Sequence, residues 1–199
     1  MKKRYAEISR ETKETSVVLT FNLDGNGKSS INTGIGFFDH MLTLFSAHGL
    51  FDLEVNCEGD INIDGHHSIE DIGIALGQAF HHAIGDKSGI SRYGSFYLPM
   101  DETLILVALD ISGRPFLVYD AGVHPISPMI GTYDTELTEE FLRAFSFHAG
   151  ITLHVKILYG TNSHHRVEGI FKALGHALRI AVQKDDRIKN TVPSTKGVL

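Results

Sequence analysis

The spacing of apolar and polar residues changes several times along the chain. Residues 4–8 alternate weakly, as an edge strand does. Residues 17–23 form a β-branched, apolar run that reads as a strand. Asp24-Gly25-Asn26-Gly27 follows as a hairpin signal, because Gly and Asn accept positive φ. Residues 30–33 are then expected to return as the partner strand. From Phe37 the period lengthens: apolar residues at 37, 38, 41, 42, 44 and 45 share one face and predict a helix over 37–47. His48-Gly49 is the expected stop, with the glycine left-handed. Residues 50–57 alternate as a strand. Asp64 is the expected N-cap of a helix running to about residue 84, and residues 85–89 form a junction.

The same order then repeats. Residues 96–98 and 103–111 read as strands interrupted by Pro99 and Met100, residues 112–115 as a turn, and 116–119 as a strand. Residues 120–133 have no period and read as a loop. A helix over 135–149 capped by Asp134 or Thr135, a strand over 151–159, and a helix from Asn162 or Ser163 to about residue 182 follow. The tail from Lys184 is charged, then polar. Each half carries two or three strands, a helix, a strand and a helix. This predicts an α+β sandwich, a single domain over 1–199 built of two similar halves, about 1–89 and 90–185, with a functional tail.

One stretch is used twice. Asp64-Gly65-His66-His67-Ser68-Ile69-Glu70 and Asn162-Ser163-His164-His165-Arg166-Val167-Glu168 both read His-His-x-x-Glu, 98 residues apart. The register continues through Ile72 and Ile170, Leu76 and Leu174, and Gly77 and Gly175, which marks an internal duplication. A single such motif is weak, since a helix start bearing His and Glu arises readily by chance. Two copies in register weigh more, because packing gives no reason to keep three polar positions at a helix start.

Residues three apart share a helix face, so His67 with Glu70, and His165 with Glu168, can each close on one cation. Adjacent histidines diverge by about 100°, so each pair is expected to be split between two ions. His40 and Glu140, each eight residues before His48 or His148, would complete the sets. Nitrogen and oxygen donors without thiolate suit Mn, Fe, Ni or Zn, and four protein ligands with open positions favour Mn or Fe. His48 and His148 are expected as helix C-terminal caps, where the dipole favours imidazolium. His81, His82, His124, His154 and His176 read as surface or satisfied histidines. Lys172 stands where the first half has Ile74, and Arg92 and Arg114 have no twins. Asymmetric cations on a symmetric scaffold point to an asymmetric anion such as a phosphate ester.

Composition narrows the class. Hydrophobic residues make up 42% and charged residues 21%, ordinary for a soluble globular protein. No apolar run of about 18 residues is present, and the start is polar at once, unlike a signal peptide. A single cysteine, Cys57, excludes an intrachain disulfide and suits the cytoplasm. A net charge of −6 argues against nucleic acid as the main partner.

The chain resembles the imidazoleglycerol-phosphate dehydratase family. The resemblance is carried by Gly36-Phe37-Phe38-Asp39-His40-Met41-Leu42, residues 64–71, Ser112-Gly113-Arg114-Pro115, Gly131-Thr132-Tyr133-Asp134-Thr135-Glu136, residues 162–168, Phe171-Lys172-Ala173, and Pro193-Ser194-Thr195-Lys196-Gly197-Val198. It implies a duplicated α+β fold, two Mn ions per active site, and a homo-oligomer of 24 subunits with sites between them. By motif, the metal ligands would be His40, His66, His67, Glu70, Glu140, His164, His165 and Glu168. Substrate contacts would be Glu14, His40, His48, Arg92, Arg114, Lys172, Ser194 and Lys196. Catalytic roles would fall to Glu14, His67, Glu70, His165 and Glu168. The chain departs from the family pattern at Gly65, often Asp, and at Glu140, commonly His; His148 is the alternative ligand there. The implied reaction removes water from imidazoleglycerol phosphate and gives imidazoleacetol phosphate. Ring electrons expel the adjacent hydroxyl, with Glu14 as the acid–base group. A metal-storage protein and a dinuclear metallohydrolase are the rival readings.

Overall fold

The computed structural model of the chain describes residues 3–197 and 199; Met1, Lys2 and Val198, the last from the tail motif, lie outside them. The first half runs β1 (Tyr5–Glu11), β2 (Thr15–Asn22), β3 (Ser29–Asn32), α1 (Gly36–Gly49), β4 (Asp52–Gly59) and α2 (His66–Ile84). The second runs β5 (Tyr93–Met100), β6 (Thr103–Asp110), β7 (Phe116–Asp120), the short β8 (Met129–Ile130) and β9 (Tyr133–Asp134), α3 (Leu137–Ala149), β10 (Thr152–Tyr159) and α4 (Ser163–Ala181). The two main sheets have the same topology, β1-β2-β4-β3 and β5-β6-β10-β7. In each, the last pair is parallel and the others are antiparallel.

Alternation along the strands decides which face is covered. β2 buries Val17, Leu19 and Phe21, and β6 buries Ile105, Val107 and Leu109. α1 and α2 lie on the first sheet, and α3 and α4 on the second. The helices then pair across the halves, α1 with α4 and α2 with α3. The layers are therefore sheet, helices, helices, sheet, with one continuous apolar core.

Two glycines permit this cross-pairing. A Cβ on Gly77 of α2 would lie 2.7 Å from Phe145 O and 2.9 Å from Ala149 N of α3. Its duplicate, Gly175 of α4, would meet Phe45 O at 2.6 Å and Gly49 N at 2.9 Å on α1. The absence of a side chain lets each helix rest on the backbone at the C-terminal end of its partner.

Several expectations need correction. Residues 24–27 do turn the chain, but β3 pairs in parallel with β4, not with β2. Asp52 causes this: its Oδ1 accepts from Asn26 N–H (2.8 Å) and Lys28 N–H (3.2 Å), carrying the chain across the end of β4. Leu50, not Gly49, takes the left-handed conformation after α1 (φ 56°). Gly49 is needed for space, because its Cβ would lie 2.3 Å from the Phe51 ring. α2 begins at His66 with Gly65 at the cap position, although Asp64 Oδ1 still accepts from His66 N–H (2.8 Å). α3 begins at Leu137, and neither Asp134 nor Thr135 is its cap. Asp134 Oδ1 instead accepts from Glu136 N–H just ahead of the helix (3.0 Å). Pro99 does not interrupt β5, which is an edge strand that tolerates a missing N–H. Asn162 does cap α4, accepting from the backbone N–H of His164 and His165.

Gly77→Ala and Gly175→Ala are expected to destabilise the fold. Alanine gains about 1 kcal/mol of helix propensity, but overpacking against backbone that cannot rotate away costs about 1–3 kcal/mol. Urea denaturation checks this; a stabilised variant would contradict the tight crossing.

Candidate metal and phosphate site

The N-terminal turn of α4 brings three of the expected ligands together. His164 and Glu168 are one turn apart on α4, and His164 Nε2 lies 2.9 Å from Glu168 Oε2. His40, from α1 of the other half, places Nε2 3.6 Å from the same oxygen. The donor atoms of these three residues all lie within 4.8 Å of one another, and among the described residues they are the one such group of three. Two imidazoles and a carboxylate in this arrangement fit a divalent transition ion. Phe37 packs edge-on against His164, with ring centroids 5.2 Å apart.

Lys172, one turn further along, places Nζ 2.5 Å from Glu168 Oε1. Burial pushes the Glu168 carboxyl up; hydrogen bonds from Lys172 and His164 outweigh it and hold the group below its usual range. The stripe continues to His176, whose Nε2 lies 3.1 Å from His48 Nδ1 and whose ring stacks on Phe96 at 4.1 Å. Burial lowers the pKa of His48, His148 and His176. His48 and His148 occupy the last turns of α1 and α3, as expected of C-terminal caps, and burial there opposes the charge that the helix dipole favours.

Glu168 pairs with His164 at i−4, not with His165 at i−3. The two rings stand at 84° with centroids 6.2 Å apart, and His165 turns to Glu102 on the β5–β6 turn, Nδ1 to Oε2 at 2.9 Å. In the first half His66 and His67 diverge likewise, at 82°. His67 Nδ1 lies 3.0 Å from Asp60 Oδ2, and this hydrogen bond raises the pKa of His67. The completing residues are crossed between halves: His40 joins the second motif, while Glu140 lines a surface cavity of about 590 Å³ with His66. Glu140 is ion-paired with Arg143, and Glu70 acts electrostatically on Arg143 and His148. Glu14 sits on the β1–β2 turn, its carbonyl accepting from Asp60 N–H (3.2 Å), and its charge acts on His67.

The expected phosphate contacts divide into two places. Arg92 forks onto Asp110 (2.7 and 3.0 Å) and donates to Pro193 O (2.8 Å), so it holds the tail that carries Ser194 and Lys196. Arg114 lies 3.8 Å from the same Asp110 carboxylate. This cluster is at the far end of α4, where Arg92 N–H donates to Ala181 O. Glu168 and Ala181 are 13 residues apart, or roughly 20 Å at helical rise. Lys172 is at the Glu168 end, away from the arginines.

Sequence reasoning passed over Asp60, Glu102 and Arg166. Arg166 is fully buried and donates to the carbonyls of Pro125 (3.1 Å), His124 (2.8 Å) and Ala121, fastening the loop before β8 to α4. Glu102 had a signal. Glu14-Thr15 and Glu102-Thr103 open equivalent strands, and both threonines are buried.

The chain is similar to known proteins over nearly all its length. The family described as imidazoleglycerol-phosphate dehydratase matches residues 33–178. An imidazoleglycerol-phosphate dehydratase from Acetivibrio thermocellus is 59% identical, covering 98% of this chain and 99% of its own. One from Clostridium botulinum is 54% identical, with both chains covered in full. The crystal structure of the Staphylococcus aureus imidazoleglycerol-phosphate dehydratase has a TM-score of 0.82 at 42% identity, covering 91% of this chain and 99% of its own. The Pyrococcus furiosus structure, in complex with (S)-C348, has a TM-score of 0.82 at 36% identity, covering 96% and 100%.

Removing Lys172 tests the pairing with Glu168. The stability supplied by a lowered carboxylate pKa is complete above the ordinary carboxylate range and is lost as pH falls through the lowered value. In Lys172→Met the attraction goes and the burial stays, so that loss begins at higher pH. Thermal melts of the metal-free protein across the acid range check this; an unshifted acid limb would exclude the pair.

Proposed function

The chain belongs to the imidazoleglycerol-phosphate dehydratase family and is a hydro-lyase of histidine biosynthesis that removes water from imidazoleglycerol phosphate; we propose that it does so as a Mn(II) enzyme whose sites are completed between subunits. The observation that carries this reading is the convergence of His40, His164 and Glu168 at one end of α4, with the Arg92 and Arg114 cluster at the other. A separation of roughly 20 Å along the helix is far longer than a three-carbon phosphate ester. A second copy of the chain bringing its arginine cluster to the metal end of the first resolves the mismatch. The rival readings, metal storage and dinuclear hydrolysis, are not favoured, since the family is one of dehydratases.

In this proposal His40, His66, His67, Glu70, Glu140, His164, His165 and Glu168 hold two Mn(II) ions per site. When bound, such ions favour the imidazolate form of the substrate ring and polarise its surroundings. The protein's own groups do the rest. Arg92, Arg114, Lys172, Ser194 and Lys196 bind and orient the phosphate, and His48, on whose ring the charge of Lys172 acts, is a further substrate contact. Glu14 protonates the departing hydroxyl on the carbon next to the ring. The ring electrons take up the positive charge left there, giving a diazafulvene-like intermediate. Glu14, left as a carboxylate, takes the proton from the next carbon, which returns the ring electrons and yields the enol; this becomes the ketone of imidazoleacetol phosphate, one water has left, Glu14 is protonated again, and no oxidant is needed. The enzyme works in the cytoplasm. Among the described residues no helix is long and apolar enough to cross a membrane.

Chelation is expected to remove about two Mn(II) per chain together with dehydratase activity, with recovery on adding Mn(II); full turnover in a metal-free preparation rejects the proposal. Lys172→Ala is expected to weaken productive binding roughly 10- to 100-fold, as loss of a charged phosphate contact of about 1.5–3 kcal/mol implies. Steady-state kinetics check this, and normal kinetics would make Lys172 a structural partner of Glu168 only. Sites shared between chains also predict complementation. Arg92→Ala and His164→Ala, each inactive alone, are expected to regain activity when mixed, dissociated and reassembled; no recovery would mean that each chain carries a whole site.

A further inference from the structure

The second histidines of the two motifs, His67 and His165, are duplicates, and each has Nδ1 against a carboxylate. The carboxylates are not duplicates. Asp60 comes from the loop after β4, seven residues before His67, with oxygens at 3.0 and 3.2 Å. Glu102 comes from the β5–β6 turn, 63 residues before His165, at 2.9 Å. The structural twin of Glu102 is Glu14, which leaves His67 to Asp60. The same contact is thus met from two unrelated places in the fold, while the residues that supply it differ. An acceptor at Nδ1 holds the ring proton there and leaves the Nε2 lone pair for a cation.

Resting on the Mn(II) reading above, we propose that Glu102 and Asp60 are positioning residues that set the tautomer of His165 and His67, and that Glu102 is the more rigid of the two. The difference lies in what else each carboxylate holds. Glu102 Oε1 accepts from Asn162 N–H (2.8 Å), Thr161 N–H (3.2 Å) and the Thr103 hydroxyl (2.9 Å), so that oxygen cannot leave its place. Only Oε2 faces His165. Asp60 presents both oxygens to His67 Nδ1, and among the described residues no backbone N–H fixes which is which.

This asymmetry makes the isosteric amides behave differently. In Glu102→Gln the amide oxygen must stay on the backbone N–H groups of Thr161 and Asn162, so the amide nitrogen falls where Oε2 was. That nitrogen donates, His165 must accept at Nδ1, and its proton moves to Nε2, the position a cation needs free. In Asp60→Asn the amide turns its oxygen toward His67, and the Nδ1–H tautomer persists. Both variants keep the backbone hydrogen bonds around them, so folding is not the variable.

The test uses the full-length protein in two measurements. Long-range 1H–15N spectra of the metal-free wild type are expected to show Nδ1–H for His67 and His165. Glu102→Gln converts His165 alone to Nε2–H, and Asp60→Asn leaves His67 unchanged. Mn(II) titration followed by electron paramagnetic resonance is expected to show a 10- to 100-fold weaker site in Glu102→Gln, with a smaller loss in Asp60→Asn, at melting temperatures close to wild type. Glu102→Asp, which can still accept from His165, recovers part of the affinity. A wild type that takes up no Mn(II) overturns the metal reading and this inference with it. A wild type that binds while Glu102→Gln binds as tightly, or keeps His165 as Nδ1–H, overturns the inference alone.

Discussion

The close crossing of helices from opposite halves is the constraint on which the rest depends. At Gly77 and Gly175 one helix lies against the backbone of another because the glycine brings no side chain of its own; at Gly77 the Cβ of His148 is equally close. That contact fixes both the separation and the register of α2 on α3 and of α4 on α1. Fixing the register at the C-terminal ends of α1 and α3 places the other ends of the pairs as well. His40 therefore meets Glu168 across two elements that are 128 residues apart in sequence. The cluster of His40, His164 and Glu168 depends on a packing contact about two turns away along α4.

The charges along α4 follow from this placement. Glu168 is buried between a histidine, a lysine and the end of α1, where an isolated carboxylate would be costly. Lys172 and His164 offset that cost in the metal-free protein, and a cation bound by His40 and His164 would serve the same end. The far end of the helix is organised differently. Asp110 gathers Arg92 and Arg114, and Arg92 in turn holds the tail by a carbonyl. One helix thus has two histidines and a carboxylate gathered at its start and two arginines near its end, and the first copy of the motif, on α2, lacks the lysine.

The fold class, the duplication and the helix carrying each motif were legible because they rest on local periodicity and repeated residues. Strand partners were not. The 24–27 turn has sound turn chemistry, but only Asp52, far along the chain, decides that β3 passes β2 and pairs with β4. Local helical geometry gave two pairing options, i+3 and i+4, and tertiary contacts chose between them when Glu102 drew His165 aside. The crossing of His40 to the second motif was invisible for the same reason: periodicity shows which face a residue occupies but not which helix will cover it. Glu102 could have been found from the paired Glu-Thr at two strand starts, and Asp60 could not.

The crossed pairing of the helices bears on ancestry. Two separate half-length chains with this fold would have formed an isologous dimer, each contact made twice about a two-fold axis. In such a dimer any substitution appears in both sites at once. A lysine at the position of Ile74 would then be unavoidable wherever Lys172 exists. In a single chain that carries both halves that constraint is absent, so one copy of the motif has Lys172 where its twin has the apolar Ile74. The interlocked helices also bar the reverse route: a half cut free at residues 85–89 leaves the apolar faces of both its helices uncovered, so the duplicated parts diverge in sequence without ever again being separable as folds.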